Sequence, residues 1–73
     1  MTAKQLVKKM GRKLIGRTIL TVKMGEYPGG LAKVIALNID RAAPEIVCNV
    51  RHPAFGEIGV FENEEVMLMA VRK

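Results

Sequence analysis

Aromatic residues, serine and cysteine are scarce or absent in this 73-residue chain. Its only aromatic side chains are Tyr27, Phe55 and Phe61, so the hydrophobic core must be built from aliphatic residues and methionine. The chain has a single cysteine, Cys48, which excludes an internal disulfide. Together with the one histidine, Cys48 supplies too few ligands for a structural zinc site. Without serine, the chain also lacks the nucleophile that many hydrolases use.

Long apolar runs are missing as well. The N-terminus carries lysines but has no uninterrupted apolar segment of the kind found in signal peptides, and no stretch approaches the length of a membrane span. A lone thiol in a small domain is typical of a reducing compartment. These absences predict a soluble, cytoplasmic protein with no membrane partner.

Length and composition predict one folded domain. Seventy-three residues leave no room for a second core. With 49% hydrophobic and 26% charged residues, the chain lies well outside the range of disordered sequences. We expect a single domain over residues 1–73, with a basic N-terminal helix in residues 1–15 and a β-barrel in residues 16–73.

Positive charge is concentrated at one end of the chain. Residues 1–23 carry seven basic and no acidic side chains, a net charge of +7, whereas residues 24–73 carry five basic and seven acidic ones, a net charge of −2. This asymmetry favours a basic face that binds a polyanion, although a lysine-rich helix whose outer side is merely solvated is a common alternative. The seven cations are Lys4, Lys8, Lys9, Arg12, Lys13, Arg17 and Lys23.

The first residues predict a short amphipathic helix. Thr2 and Gln5 have the spacing of a capping box, in which each side chain bonds to the backbone amide of the other residue. We expect the helix at residues 3–10, or as far as Lys13 if Gly11 lies inside it instead of ending it. Its apolar stripe, outside which most of the cations fall, consists of Ala3, Leu6, Val7, Met10 and Leu14.

The rest of the chain consists of short β-branched runs separated by turn residues, which is typical of strands. We predict strands at residues 18–24, 32–39, 45–50, 57–61 and 66–71, loops at 38–44 and 51–56, and one tight helical turn at 62–65. Five short strands after one helix indicate a mainly β fold, a small barrel or sandwich, because closure removes exposed strand edges.

Several of these strands are apolar on both sides. In the last strand, for example, Val66 and Leu68 lie on the side opposite Met67 and Met69. A barrel has only one interior, so something must cover the other side. The amphipathic helix is one candidate, and a partner subunit or protein is the other.

The segment VKMGEYPGGLAKVI, residues 22–35, contains the most specific pattern in the chain. Tyr27 and Lys33 stand where the KOW motif often has an aromatic residue and a lysine, whereas Ala32 replaces a glycine that the motif usually has. Six further residues over 20–37 have the order and spacing of that motif, so the chain resembles KOW-motif proteins: Leu20, Val22, Gly25, Gly29, Val34 and Leu37.

The resemblance implies a five-stranded SH3-like small barrel, here preceded by one short helix. Domains of this family occur in ribosomal proteins and transcription elongation factors, where they contact RNA, DNA or RNA polymerase and have no catalytic activity. The glycines of residues 25–30 could let the backbone approach a partner closely, and Tyr27 could stack on a base or fill a protein pocket. Alternatively, the glycines only close a hairpin and Tyr27 packs on the barrel.

No arrangement of residues indicates catalysis. His52 has no carboxylate paired with it locally, and we interpret it as a surface-loop histidine. Cys48 alternates in phase with apolar neighbours and is expected to be buried. We therefore expect no enzymatic activity, no small-molecule substrate, and no metal or other cofactor. Three glutamates that match no calcium-loop pattern are interpreted as a solvated turn: Glu62, Glu64 and Glu65.

Two functions stay open. The first is binding of RNA or DNA in transcription or translation with low sequence specificity, by neutralising phosphates. The second is a protein-interaction module, either a homo-oligomer or a small regulator that docks on a larger complex such as RNA polymerase. A third, weaker one is binding of the helix to an anionic membrane surface, although the helix is short and has no aromatic anchor.

We place nucleic-acid binding first because the net charge of +7 lies beside the KOW-like hairpin. The expected phosphate contacts are Lys4, Lys8, Lys9, Arg12, Lys13, Arg17, Lys23 and Lys33, with Tyr27 as the stacking candidate.

Overall fold

The structure is a computed structural model that describes residues 1–38, 42 and 45–70. It confirms the mainly β class with five strands and one N-terminal helix. The elements are α1 (Ala3–Met10), a 3-10 segment (Gly11–Leu14), β1 (Thr18–Thr21), β2 (Gly30–Leu37), β3 (Ile46–His52), β4 (Gly56–Phe61) and β5 (Val66–Leu68).

Helix α1 has the predicted bounds. Thr2 Oγ1 accepts a hydrogen bond from the Gln5 amide at 3.2 Å, and the Thr2 amide donates to Gln5 Oε1 at 2.9 Å, so the capping box is complete. Gly11 ends the helix, because its φ of 57° lies in the left-handed region that glycine adopts without strain. Of the two roles open to Gly11, the structure therefore has the cap.

The five strands form one antiparallel sheet in the order β4-β3-β2-β1-β5. Strands β1 to β4 follow one another as a meander, and β5 returns to pair with β1. Strands β4 and β5 are thus the two edges, and the sheet is open between them. Helix α1 contacts β3, β4 and β5 and covers this opening. The helix, and not a ring of hydrogen bonds, encloses the core.

All the described buried apolar residues belong to one core cluster between α1 and the inner side of the sheet. Register shifts in β2, between Val34 and Ala36, and in β3, between Ile46 and Cys48, bend the sheet around it. The outer side of the sheet is the face turned away from α1. The core contains Ala3, Leu6, Val7, Leu14, Ile19, Ala32, Val34, Val47, Cys48, Val50, Val60 and Val66.

Several strand ends differ from the prediction, and two of them, the starts of the third strand at Ile46 and of the fourth at Gly56, differ by one residue. The first strand stops at Thr21 instead of residue 24, because Met24 and Tyr27 exchange two backbone hydrogen bonds of 2.8 and 2.9 Å in a tight turn. The second begins at Gly30 instead of residue 32, and the third continues to His52 instead of ending at residue 50. The second strand ends at Leu37 and the fifth at Leu68, so both are shorter than predicted. The predicted end residues 39 and 71 themselves, and most of the loop 38–44, lie outside the described residues.

The predicted turn at residues 62–65 is present, with the Glu64 amide donating to the Phe61 carbonyl at 3.1 Å. In the part of the chain that the structure describes, no helix has both the length and the hydrophobicity required to cross a membrane.

Cys48 is buried in the core, as expected, with 1% of its surface exposed. Burial raises the pKa of its thiol from 9.0 to about 11, and the charge of Glu64 adds to this effect. The folded protein therefore holds the thiol protonated at pH values where the unfolded chain ionises it.

We predict that Cys48 makes the free energy of unfolding fall as the pH rises from 9 towards 11, because only the unfolded state then loses the thiol proton. Cys48→Ala removes this contribution, so the stability difference between wild type and variant should shrink by about 2 kcal/mol between pH 7.5 and 10.5. Urea unfolding with excess reductant measures it. A difference that stays constant with pH would contradict the prediction.

Candidate nucleic-acid interface

The cations of α1 point away from the core because the other side of the helix is buried. Ala3, Leu6 and Val7 face the sheet, while Lys4, Lys8 and Lys9 are exposed. Lys4 and Lys8 are four residues apart and lie in one row along the helix axis. This is the solvated outer side that the amphipathic pattern predicts.

Two further cations follow the helix. Arg12 and Lys13 lie in the 3-10 segment and are exposed, while Leu14 of the same segment is buried and ties it to the core. We call the side formed by Lys4, Lys8, Lys9, Arg12 and Lys13 the basic face. Within the part of the chain that the structure describes, none of its four lysines makes an ion pair.

The structure places the other predicted contact residues elsewhere. Arg17 is half-buried, and its Nη2 donates to the Met69 carbonyl at 3.1 Å, so it holds the end of β5. Lys33 lies on the outer side of the sheet, because its neighbours Ala32 and Val34 are buried on the inner side. Lys23 is exposed beyond the opposite end of β1 from Arg17. Five of the eight predicted cations are thus exposed on α1 and the 3-10 segment that follows it.

Tyr27 is tied to the sheet by its hydroxyl group. Thr21 Oγ1 donates to the Gly30 carbonyl at 2.9 Å, so the 2.6 Å contact between Tyr27 Oη and Thr21 Oγ1 has the tyrosine as donor. The ring is half-buried and makes edge-to-face contacts with His52 and Phe55, with ring centroids 5.2 and 5.9 Å away. Of the roles considered for Tyr27, packing on the barrel is the one that these contacts describe.

The interpretation of His52 as a surface-loop residue is wrong. It is the last residue of β3 and only 9% exposed. Its Nδ1 accepts hydrogen bonds from the amides of Ala54 at 3.0 Å and Phe55 at 3.3 Å, so the ring proton lies on Nε2, which donates to the Gly29 carbonyl at 2.8 Å. The imidazole therefore links the β3–β4 turn to the segment before β2.

The cluster of Tyr27, His52 and Phe55 was not found from the sequence. His52 lies 23 residues from the carbonyl that it binds, and its ring contact with Tyr27 spans a similar distance in the chain. The one feature of the sequence that pointed to this contact is that Tyr27 and His52 both lie close to the ends of predicted strands. Phe55, 51% exposed, is the outermost ring of the cluster.

Gly29 is required at its position for two reasons. Its φ of 73° lies in the left-handed region, and a Cβ atom would be 2.7 Å from the Thr21 carbonyl oxygen and 2.8 Å from the Lys23 nitrogen. By contrast Gly25, with a φ of 55°, has open space around the position of a Cβ atom. Ala32, where the KOW motif usually has glycine, is buried in regular strand opposite Ile19.

Among residues 1–38, 42 and 45–70, no group of three or more His, Cys, Asp or Glu side chains is placed to hold a metal ion.

We predict that Gly29→Ala lowers the free energy of unfolding by about 3 kcal/mol or more, because backbone strain and a backbone clash act together. Gly25→Ala is the matched control and should cost about 1–2 kcal/mol, since only the left-handed conformation is penalised. Urea unfolding followed by far-ultraviolet circular dichroism measures both. Equal losses at the two positions would show that the close approach at Gly29 is not a constraint.

Comparison with known proteins adds no family to this description: the chain matches no protein-family model, and no curated protein or solved structure is significantly similar to it. The resemblance to KOW-motif proteins stays a prediction.

Proposed function

We propose that the protein is a non-enzymatic module that binds RNA or DNA through the basic face, with low sequence specificity. One observation supports this proposal: five basic side chains within residues 4–13 are exposed, and the four lysines among them have no carboxylate partner in the described residues.

Counterion release is the driving force that such a face supplies. Nucleic acid carries a condensed layer of cations, and each lysine that neutralises a phosphate releases them to solution. Lys4 and Lys8 are four residues apart, which is about 6 Å along a helix axis. That separation is close to the rise of two base pairs, about 3.4 Å each along the axis of duplex DNA, so the two ammonium groups can contact different phosphates.

Low specificity follows from the side chains that this surface offers. Lysine presents a point charge that carries no information about the base sequence. Gln5 is the only residue of α1 with a side-chain amide, and its Oε1 is already engaged by the Thr2 amide in the capping box. The face thus has few groups able to read base edges. The KOW-like segment favours a role in transcription or translation.

We predict that replacing Lys8, Lys9 and Lys13 together by glutamine lowers the affinity for a 20-base-pair DNA duplex and for a 20-nucleotide RNA by at least tenfold at 100 mM salt. Each lost phosphate contact should also reduce the slope of log K against log salt by about 0.9 for duplex DNA and about 0.7 for the single strand. Glutamine keeps the helix propensity of lysine, so α1 is retained. Fluorescence anisotropy across a salt series measures both quantities.

The matched control replaces three cations outside the basic face, Lys23, Lys33 and Arg51, by glutamine. It removes the same charge and should change the affinity by less than threefold. Equal losses for the two triple variants would mean that net charge, and not the basic face, attracts the nucleic acid. No binding of the wild-type protein to either probe would refute the proposal.

A further inference from the structure

The two edges of the sheet differ in how their backbone groups are satisfied. Beside β5, the first residues of the chain add a short pairing: Thr2 forms a β-bridge with Glu65, and the Val66 amide donates to the Met1 carbonyl at 2.9 Å. Strand β4 pairs only with β3 among the described strands. It also contains neither proline nor lysine, which often protect an edge. The open edge of this sheet is therefore β4.

The direction of each backbone group of β4 follows from the end of the strand. The Phe61 amide donates to Glu64 Oε2 at 2.7 Å, and the Phe61 carbonyl accepts from the Glu64 amide at 3.1 Å, so both groups of Phe61 point away from β3. Backbone groups of an antiparallel strand alternate in direction from one residue to the next. The register shift adds its extra residue to β3, so the alternation along β4 is unbroken. The N–H and C=O groups of Glu57 and Gly59 therefore also point outward.

These outward groups have no partner in the part of the chain that the structure describes. Outside the pairing of β4 with β3, the backbone of Glu57 and Gly59 makes no hydrogen bond there. The two residues offer two donors and two acceptors, about 6.8 Å apart along the strand. Residues 57–59 thus present one half of a β-ladder.

A shallow apolar groove runs beside these free groups. Its volume is about 350 Å³, at the lower end of the range of ligand pockets. No residue of α1 lines it, because the helix meets this edge beyond β4, where the Lys4 amide donates to the Glu62 carbonyl at 3.1 Å. The lining residues are Met24, Gly25 and Tyr27 on one side and Ile58, Gly59, Phe61 and Glu64 on the other.

We propose that an extended segment of a partner protein pairs with β4 as a sixth strand and places an apolar side chain in this groove. An extended backbone presents N–H and C=O groups along one edge at the same two-residue spacing, so it can bond to all four free groups. A helix uses these groups internally, and a phosphate accepts hydrogen bonds but donates none. Backbone pairing supplies affinity in such contacts, and the groove selects the side chain.

A second copy of the chain fits this edge poorly. A two-fold axis brings the two β4 strands together antiparallel, and three registers join their free groups. Glu57 opposite Glu57 places like charges face to face, and Glu57 opposite Gly59 leaves the two carboxylates as diagonal neighbours on one side of the sheet. Gly59 opposite Gly59 requires Phe61 to pair with Glu57, but the Phe61 backbone is already bonded to Glu64. The occupant is therefore a segment of a different protein, without an acidic residue at these positions.

The test uses the full chain and a capped seven-residue peptide in which threonine alternates with valine, with leucine at its centre. Two control peptides carry N-methyl groups on alternate residues, one on the odd-numbered and the other on the even-numbered residues. Each control lacks the donors of one edge. We expect one of them to bind at least tenfold more weakly and the other to bind within threefold of the parent, because only one edge of the peptide faces β4. Fluorescence anisotropy measures all three.

Amide hydrogen exchange locates the contact on β4. In the free protein, the outward amides of Glu57 and Gly59 should exchange at least tenfold faster than the amide of Ile58, which points to β3 by the same alternation. Bound peptide should slow the exchange of Glu57 and Gly59 at least tenfold and leave that of Ile58 within threefold. NMR spectra recorded after transfer to heavy water measure these rates.

Two methionine variants test the groove. Met24→Thr removes part of its apolar wall and should weaken binding at least fivefold. Met67→Thr is the matched control, because Met67 is also exposed but lies on β5, outside the groove, and its loss should change the affinity by less than twofold. Far-ultraviolet circular dichroism checks that both variants are folded.

The proposal is overturned if the parent peptide does not bind, if the two N-methylated peptides bind equally, if Gly59 exchange is unchanged in the complex, or if the two methionine variants bind alike. It is also overturned if light scattering shows a wild-type dimer in which the Glu57 and Gly59 amides already exchange slowly, since a second copy would then occupy the edge. This site goes beyond the proposed function, and none of these results depends on nucleic-acid binding, which the variants of the basic face test separately.

Discussion

The gap between β4 and β5 sets the arrangement of the rest of the molecule. A five-stranded sheet that does not close by hydrogen bonds leaves one side of its aliphatic core open, and α1 lies across that opening. Burial of Leu6, Val7 and Leu14 stabilises the enclosure by roughly 1.5–3 kcal/mol for each large side chain. Because these positions must face the sheet, the cations between them must face solvent. The charge distribution of the surface is thus a consequence of how the core is enclosed.

The features that depend on residues close together in the chain were predicted from the sequence. The bounds of α1 follow from a capping box and a left-handed glycine within its own sequence, and the burial of Cys48 follows from strand alternation. The ends of β1 and β3 were predicted less well, because the turn of Met24 to Tyr27 and the bond from His52 to Gly29 decide them. Alternation also shows that Lys33 and Val34 lie on opposite sides of a strand, but only the position of α1 determines which side is outer.

The few ring side chains of this protein have a structural use. Tyr27 and His52 fix the glycine-rich segment to the sheet through Thr21 and Gly29, and Phe55 packs on both of them. The basic face therefore contains no aromatic residue, and the exposed side chains of the row Leu20, Leu31 and Met67 on the outer side of the sheet are aliphatic or methionine. The exposed side of α1 and the outer side of the sheet thus differ in chemistry, with the single core between them.

The order of elements along the chain has a consequence for synthesis on the ribosome. The helix is made before the strands, yet the surfaces that bury its apolar stripe are in β3, β4 and β5, and the Val66 amide bonds to the Met1 carbonyl at 2.9 Å. A helix of eight residues is marginal by itself in water. The nascent chain therefore exposes the apolar stripe of a segment that is only partly helical. This segment packs on the sheet only after residue 66 has been added. Contacts between such distant residues slow folding, and a chaperone that binds exposed aliphatic segments would meet this segment before it meets the strands.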